Sequence, residues 1–312
     1  MKTMFQRHLP VPFSLVLLIC AAGGKAAVPD AALLDAIPPD ATIVYGIDVQ
    51  KVLATHLGQQ AYQRVLERSP AVGRFSAATG FDVKRDLQQL ILVSDRSGVP
   101  QKPGHYRMAI ARGTFRLDRF RSLAGVSGAE VTEKQGILLI RPPRITLNAS
   151  IAFLDASTAL IGDDATIRQA FERRVAAKQQ QSPSPDTSLR QRIAVVSAQN
   201  EMWFATAGPL SELGIKSRSN VIPMLGDSVR HALGGVHLAA GSAQVIVEIG
   251  TASDTQAVAL ADSLRLAATA IKNPRLKSLQ SAKIAAEGSS VKGTLPVPLA
   301  DLESLVFRPL AK

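Results

Sequence analysis

One order of elements occurs twice in this chain, and it restricts the fold more than any single motif. The first run predicts a strand over Thr42–Val49, a helix, strands over Leu90–Val93 and Tyr106–Arg112, a second helix, and a hairpin over Ala129–Arg141. The second run repeats it with Glu201–Thr206, a helix, Gly235–Ala240 and Ala243–Ile249, another helix, and a hairpin over Ala282–Leu295. β-Branched runs bounded by Gly, Pro, Asn and Asp carry the strand assignments. A βαββαβ order builds an antiparallel sheet with its helices on one face. The expected fold class is therefore α+β, as two ferredoxin-like βαββαβ units with mostly antiparallel sheets.

The expected boundaries are a leader over residues 1–24, a first unit over 28–178, a linker over 179–187 and a second unit over 188–312. The linker rests on Gln179-Gln180-Gln181-Ser182-Pro183-Ser184-Pro185, which is polar, proline-bearing and aperiodic. Ala111-Arg112-Gly113-Thr114 and Glu248-Ile249-Gly250-Thr251 each close a strand ahead of a helix. Gly113 and Gly250 are therefore expected at one shared strand-to-helix corner, where glycine permits a turn closed to other residues.

The leader reads as a cleaved export signal. Lys2 and Arg7 precede an apolar run over Leu9–Ile19, and the small residues Ala21, Ala22, Gly23 and Gly24 follow. That run is too short to span a bilayer comfortably. Cys20 is the single cysteine, and Ile19 stands where a lipidated cysteine wants a small neighbour, which argues against a lipoprotein. The expected location is the periplasm or the outside of the cell.

Two stretches resemble a group of uncharacterised exported bacterial proteins. One is Pro38-Pro39-Asp40-Ala41 running through Val44 and Gly46 to Asp48; the other is Ala78-Thr79-Gly80-Phe81-Asp82 running through Asp86 to Leu87. The resemblance implies export and domain architecture, and brings no activity or catalytic residue.

The common site chemistries find no match in the residue pattern. His56, His105, His231 and His237 include no short helical pair of metal-ligand spacing, and no cysteine follows the leader, so no metal site is expected. His237 is expected to face solvent or bond to backbone in an antiparallel strand. The chain lacks a nucleophile elbow and both glycine-rich phosphate loops, so no catalytic residue and no cofactor is assigned. Asp163-Asp164 is the one adjacent carboxylate pair, and its place ahead of a helix reads as capping.

The formal charge is +11, with Lys84, Arg85, Arg112, Arg116, Arg119 and Arg121 making the first half locally basic. Those side chains read as a solvated face whose stems cover apolar surface, or more sharply as a contact for an anionic surface. Aromatics are only 4% of residues, and the expected compartment holds no nucleic acid, so nucleic acid is not an expected partner. The expected function is a non-enzymatic binding or scaffold protein of the bacterial cell envelope, with an envelope protein or an anionic surface as partner. The alternatives are an envelope hydrolase using loops that hold Asp48, Asp95 or Asp163, and a peripheral binder of anionic membrane.

Overall fold

The computed structural model describes residue 29 and residues 31–94, 107–141, 149–178, 187–209, 228–239, 241–271 and 274–307. The expected leader with Cys20, Asp95, His105 and residues 179–186 of the expected linker lie outside them.

The first half supplies β1 (Ile43–Asp48), β2 (Leu87–Ser94), β3 (Met108–Gly113), β4 (Glu130–Lys134), β5 (Ile137–Arg141), β6 (Ser150–Asp155) and β7 (Thr158–Gly162). The second supplies β8 (Met202–Thr206), β9 (Val229–Ala239), β10 (Ser242–Thr251), β11 (Lys283–Glu287) and β12 (Ser290–Pro298). All twelve join in one sheet, ordered β11-β12-β10-β9-β8-β1-β2-β3-β7-β6-β5-β4. Every neighbouring pair is antiparallel.

This corrects the expected pair of separate ferredoxin-like sheets while keeping the α+β class. A ferredoxin-like unit splits its first two strands and sets the third between them. Here β2 lies between β1 and β3, and β9 between β8 and β10. The halves fuse because β1 and β8 are apolar on both faces: Val44, Trp203 and Ala205 are buried in one core, and Ile47 is buried in the other with Met202 packed against it. As edges of two separate sheets they would expose unpaired backbone beside apolar side chains, and pairing them removes both edges.

Helices α1 (Ala31–Ala36), α7 (Asp164–Lys178) and α8 (Thr187–Ser197) cover one face through Leu33, Ile167 and Ile193. The other face receives α2 (Val49–Leu53), α3 (His56–Arg68), α5 (Val83–Asp86), α6 (Leu117–Val126), α9 (Asp254–Thr269) and α10 (Leu299–Phe307). Helix α4 (Pro70–Thr79) joins that layer by stacking Phe75 on Phe120. The helical spacing that ends at Arg68 ahead of Pro70 matches the end of α3, and Pro70 is the first residue of α4, where its missing N–H costs nothing.

The Ala78–Leu87 motif is a structural corner. Gly80 ends α4 with φ 69°, Phe81 packs among Phe115 and Phe120, and the Asp82 side chain caps α5 by accepting from Lys84 N. Asp86 accepts from Arg85 Nε and Nη2, both at 2.7 Å, and from Asp82 N at 2.8 Å. The Arg85 guanidinium holds the Asp86 carboxyl below its ordinary range.

The strand pairings have a two-fold pattern centred on Tyr45 opposite Phe204, where the rings lie 6.3 Å apart. Gly46 opposite Trp203 mirrors Val44 opposite Ala205, and Ile47 opposite Met202 mirrors Ile43 opposite Thr206. Asp48 N donates to Glu201 O at 2.7 Å, and Ala207 N donates to Thr42 O at 2.9 Å in the mirrored place. The pattern runs outward. β2 skips one residue opposite the end of β3, and β9 skips one opposite the end of β10. Gly113 N donates to Ser157 O at 2.9 Å, and Thr251 N to Ser289 O at 2.7 Å.

These bonds place Gly113 opposite Thr251 in the pattern, one residue away from the expected match with Gly250. Neither glycine has positive φ. A Cβ on Gly113 would overlap the Asp86 carbonyl, and one on Gly250 would overlap the His231 ring. Close approach, not a special backbone turn, selects glycine at both.

The halves differ in one respect. Counted inward from the matched pairs Arg112–Thr158 and Gly250–Ser290, the facing pair Ile110–Leu160 corresponds to Glu248–Lys292. Ile110 and Leu160 are fully buried on the face that carries α1 and α7. On β10, β12 and β11 the same face carries Gln244, Glu248, Lys292, Pro296, Lys283 and Glu287, most of them exposed.

The seam also gives a direct test. A Cβ on Gly46 would overlap the buried Trp203 ring, which packs directly over that glycine. Gly46→Ala is expected to destabilise the fold by about 1–3 kcal/mol, read from urea unfolding against wild type. An unchanged midpoint would show that the seam is loosely packed.

Candidate functional site

A polar cleft opens at one end of the β1–β8 seam. Pro29, Asp48, Gln89, Asn200 and Trp203 line it, and the space it encloses is about 10 Å³. That is room for about one water molecule, far below the roughly 300–1,000 Å³ of a drug-sized ligand pocket.

Each wall follows from local structure. Asp48 closes β1 and caps α2, accepting from Lys51 N at 3.1 Å while Lys51 Nζ lies 3.4 Å from its other oxygen. Gln89 faces Asp48 from β2. Asn200 ends the turn from α8 into β8, donating from Nδ2 to Val196 O at 2.6 Å. Its Oδ1 is buried without a hydrogen-bond partner. Gly235 makes room for this side chain, since a Cβ there would overlap Asn200.

Glu201 is 0% exposed. Its Oε2 accepts from Leu238 N at 2.8 Å and lies 3.4 Å from His237 Nδ1, while its Oε1 has no partner. His237 is half-exposed, so it sits at the boundary between this buried carboxylate and solvent. The expectation for His237 named solvent and backbone, and the structure adds Glu201. A buried carboxylate beside a histidine can fix the ring's tautomer and orientation. No hydrogen bond joins His237 to a serine, threonine or cysteine among the described residues.

The other residues singled out in the sequence are dispersed. Asp163 accepts from Thr166 N at 2.9 Å and from Thr166 Oγ1 at 2.6 Å, the cap anticipated for the acidic pair. Asp164 instead accepts from Arg141 Nε at 2.7 Å and Arg168 Nη2 at 3.0 Å, and the Arg141 bond holds its carboxyl below the ordinary range. His56 lies 3.4 Å from Glu303, and His231 packs over Gly250.

The arginines do not share one surface. Arg112 donates to Ser157 Oγ and Thr158 Oγ1 at 2.8 Å, Arg121 to Glu133 at 2.6 Å, and Arg116 and Arg119 are exposed. Among the described residues, no three His, Cys, Asp or Glu side chains converge as metal ligands. Sequence reasoning gave Asn200 and Glu201 no role, because Asn200 falls between elements and Glu201 reads as the polar first residue of the strand Glu201–Thr206.

Asn200→Asp tests the cleft. The carboxylate introduced there cannot donate to Val196 O and adds a charge next to buried Glu201, so burial and repulsion raise its folded-state pKa. The sign follows: the destabilisation, about 1–3 kcal/mol at neutral pH, is relieved as pH falls through the raised pKa. Thermal midpoints of Asn200→Asp minus wild type should therefore narrow between neutral and mildly acidic buffer. A pH-independent difference would show that the corner is open to water.

No protein-family model matches the chain, and no characterised protein matches it by sequence. Its fold is similar to solved structures of TP0453. Crystal form III gives a TM-score of 0.52 at 9% identity, covering 88% of this chain and 96% of that one. Crystal form I gives 0.50 at 8% identity, covering 89% and 97%. At such identity the likeness establishes a shared α+β fold over nearly the whole length and carries no activity across.

Proposed function

We propose that this chain is an exported, non-enzymatic binding or scaffold module of the bacterial cell envelope. The observation that carries this reading is the open sheet face of β10, β12 and β11. The corresponding face of the first half is buried beneath helices, while this one presents Gln244, Lys283, Glu287 and Lys292. Its charges alternate, with Lys292 Nζ 2.6 Å from Glu287 and Glu248 opposite Lys292. A balanced face offers little to an anionic lipid surface, which rewards clustered cations. It suits a protein partner that pairs with both signs. The seam cleft is small for a substrate pocket, which weighs against the hydrolase reading. Among the described residues, no helix is long and apolar enough to cross a membrane.

One experiment addresses export and binding together. The full chain, expressed with its leader, should be recovered from the envelope compartment with an N-terminus near residue 25. Lys283→Glu with Lys292→Glu should release it from envelope complexes by at least about tenfold, a loss of roughly 1.4 kcal/mol. An intact Met1 in cytosolic material would sink export; unchanged partition of the double variant would sink the open face. Salt-reversible binding to anionic vesicles with no protein partner would replace this reading by the membrane one.

We also infer that the halves descend from one duplicated unit, on the strength of the mirrored pairings about Tyr45 and Phe204. An experimental structure should then allow one rotation to bring Tyr45 onto Phe204, Leu90 onto Ala232, Arg112 onto Gly250 and Thr158 onto Ser290. Failure to bring all four together sinks the inference.

A further inference from the structure

The sheet ends in β4 on one side and β11 on the other, and among the described residues no strand pairs with the outer edge of β11. Its inner edge is fixed by the two-residue turn Gly288-Ser289, which closes on Glu287 opposite Ser290. Backbone groups alternate in direction along a strand. Glu287, Ala285 and Lys283 therefore turn theirs toward β12, while Ala286 and Ile284 turn theirs outward. One side-chain bond agrees with this phase: Ile284 O accepts from Arg265 Nε at 2.9 Å. Arg265 reaches it from α9, which covers one face of the sheet. A carbonyl has a second lone pair, so a strand lying in the sheet plane can still bond it. Neither a proline nor a break in its register with β12 blunts this edge.

The residues of β11 read Lys283-Ile284-Ala285-Ala286-Glu287, and that order is complementary to itself. Laid antiparallel about Ala285, a second β11 sets exposed Lys283 opposite exposed Glu287 at both ends. Ile284 then faces Ala286 of the copy. Both carry outward backbone groups, so each such pair exchanges both of its N–H···O bonds. Ala285 meets its own copy as the intervening close pair. Facing residues point to the same side of a sheet, so Ile284 and Ala286 of both copies stay on the face beneath α9.

Helix α9 overhangs the same edge. Arg265 marks the side of the helix that reaches β11. Val258 lies two turns earlier on that side and Leu266 lies next to Arg265, yet they are 51% and 72% exposed. Asp262, between them, bonds to Arg265. A two-fold axis through Ala285 brings the overhanging sides of two α9 helices toward each other and shields these apolar side chains. The opposite edge fits less well. Laid against its copy about Thr132, β4 also pairs Glu130 with Lys134, but it sets Val131 opposite Glu133, whose carboxylate is held by Arg121.

We propose that the chain forms a two-fold dimer with a second copy of itself, the β11 edges paired antiparallel about Ala285 and the α9 helices side by side. One sheet then runs through both copies, and their two open faces become a single surface. The pairing uses the backbone of Ile284 and Ala286, not the side chains of the open face, so it stands whether or not the binding-module reading does.

The test is sedimentation velocity of the full exported chain across a concentration series. Wild type should pass from monomer to dimer. Ala286→Pro removes an outward N–H while sparing the ladder to β12, and it should weaken the dimer at least about tenfold. Lys283→Glu and Glu287→Lys each set like charges opposite one another and should weaken it too. Mixed in equal amounts, those two variants should form a mixed dimer, because every Glu then meets a Lys. Val131→Pro, at the β4 edge, should dimerise like wild type. Should Ala286→Pro fail to fold, the two charge variants and their mixture decide the matter. Ala286→Pro keeps every side chain of the open face, so loss of the dimer and loss of an envelope partner are read separately. A monomer at every concentration overturns the proposal. So does a dimer that survives both charge variants, or one that Val131→Pro disrupts.

Discussion

The pairing of β1 with β8 is the interaction on which the rest of the structure depends. It joins two sets of strands that are contiguous in sequence and would otherwise each end in an apolar edge. The seam is packed from both sides: Trp203 fills the space over Gly46 on one face, while Tyr45 and Phe204 meet on the other. Five residue pairs do this directly, and Asp48 N to Glu201 O and Ala207 N to Thr42 O extend the ladder past each end. Because register in a sheet decides which side chains face which core, a slip here would turn Val44 and Trp203 out of one core and Tyr45 out of the other.

The same seam generates the polar cleft. Where the two strands diverge, Asp48 leaves β1 to cap α2, and Asn200 and Glu201 lead into β8 from α8. The polar groups that gather there are consequences of chain reversal at two strand ends that lie side by side. What is unusual is that Glu201 is fully buried while only one of its oxygens is bonded. It lies under the face carrying α1, α7 and α8, where the helical cover is assembled from separate short elements.

Local structure was largely legible in the sequence, and global pairing was not. Strands such as Ile43–Asp48 and Ser242–Thr251 follow from β-branched runs, and Ser253 caps α9 as its position suggests. The expected strand starts only at Gly235, yet β9 begins at Val229 and runs through Gly234-Gly235, where Phe204 and Asn200 occupy the space that side chains would need. That cause lies about thirty residues away along the chain and leaves no local trace. The β1–β8 pairing is still more remote, since nothing in Thr42–Val49 names Glu201–Thr206 as its neighbour.

The length of the sheet has a geometric consequence. Adjacent strands turn by about 20–25° relative to one another, so the surface rotates steadily from β4 to β11. Between β3, which lies under α1, and β10, which carries part of the open face, five successive steps accumulate roughly 100–125°. Two places on the same side of the sheet therefore look in nearly perpendicular directions. A large body seated against β10, β12 and β11 would turn away from the helices that cover β3, and need not displace them.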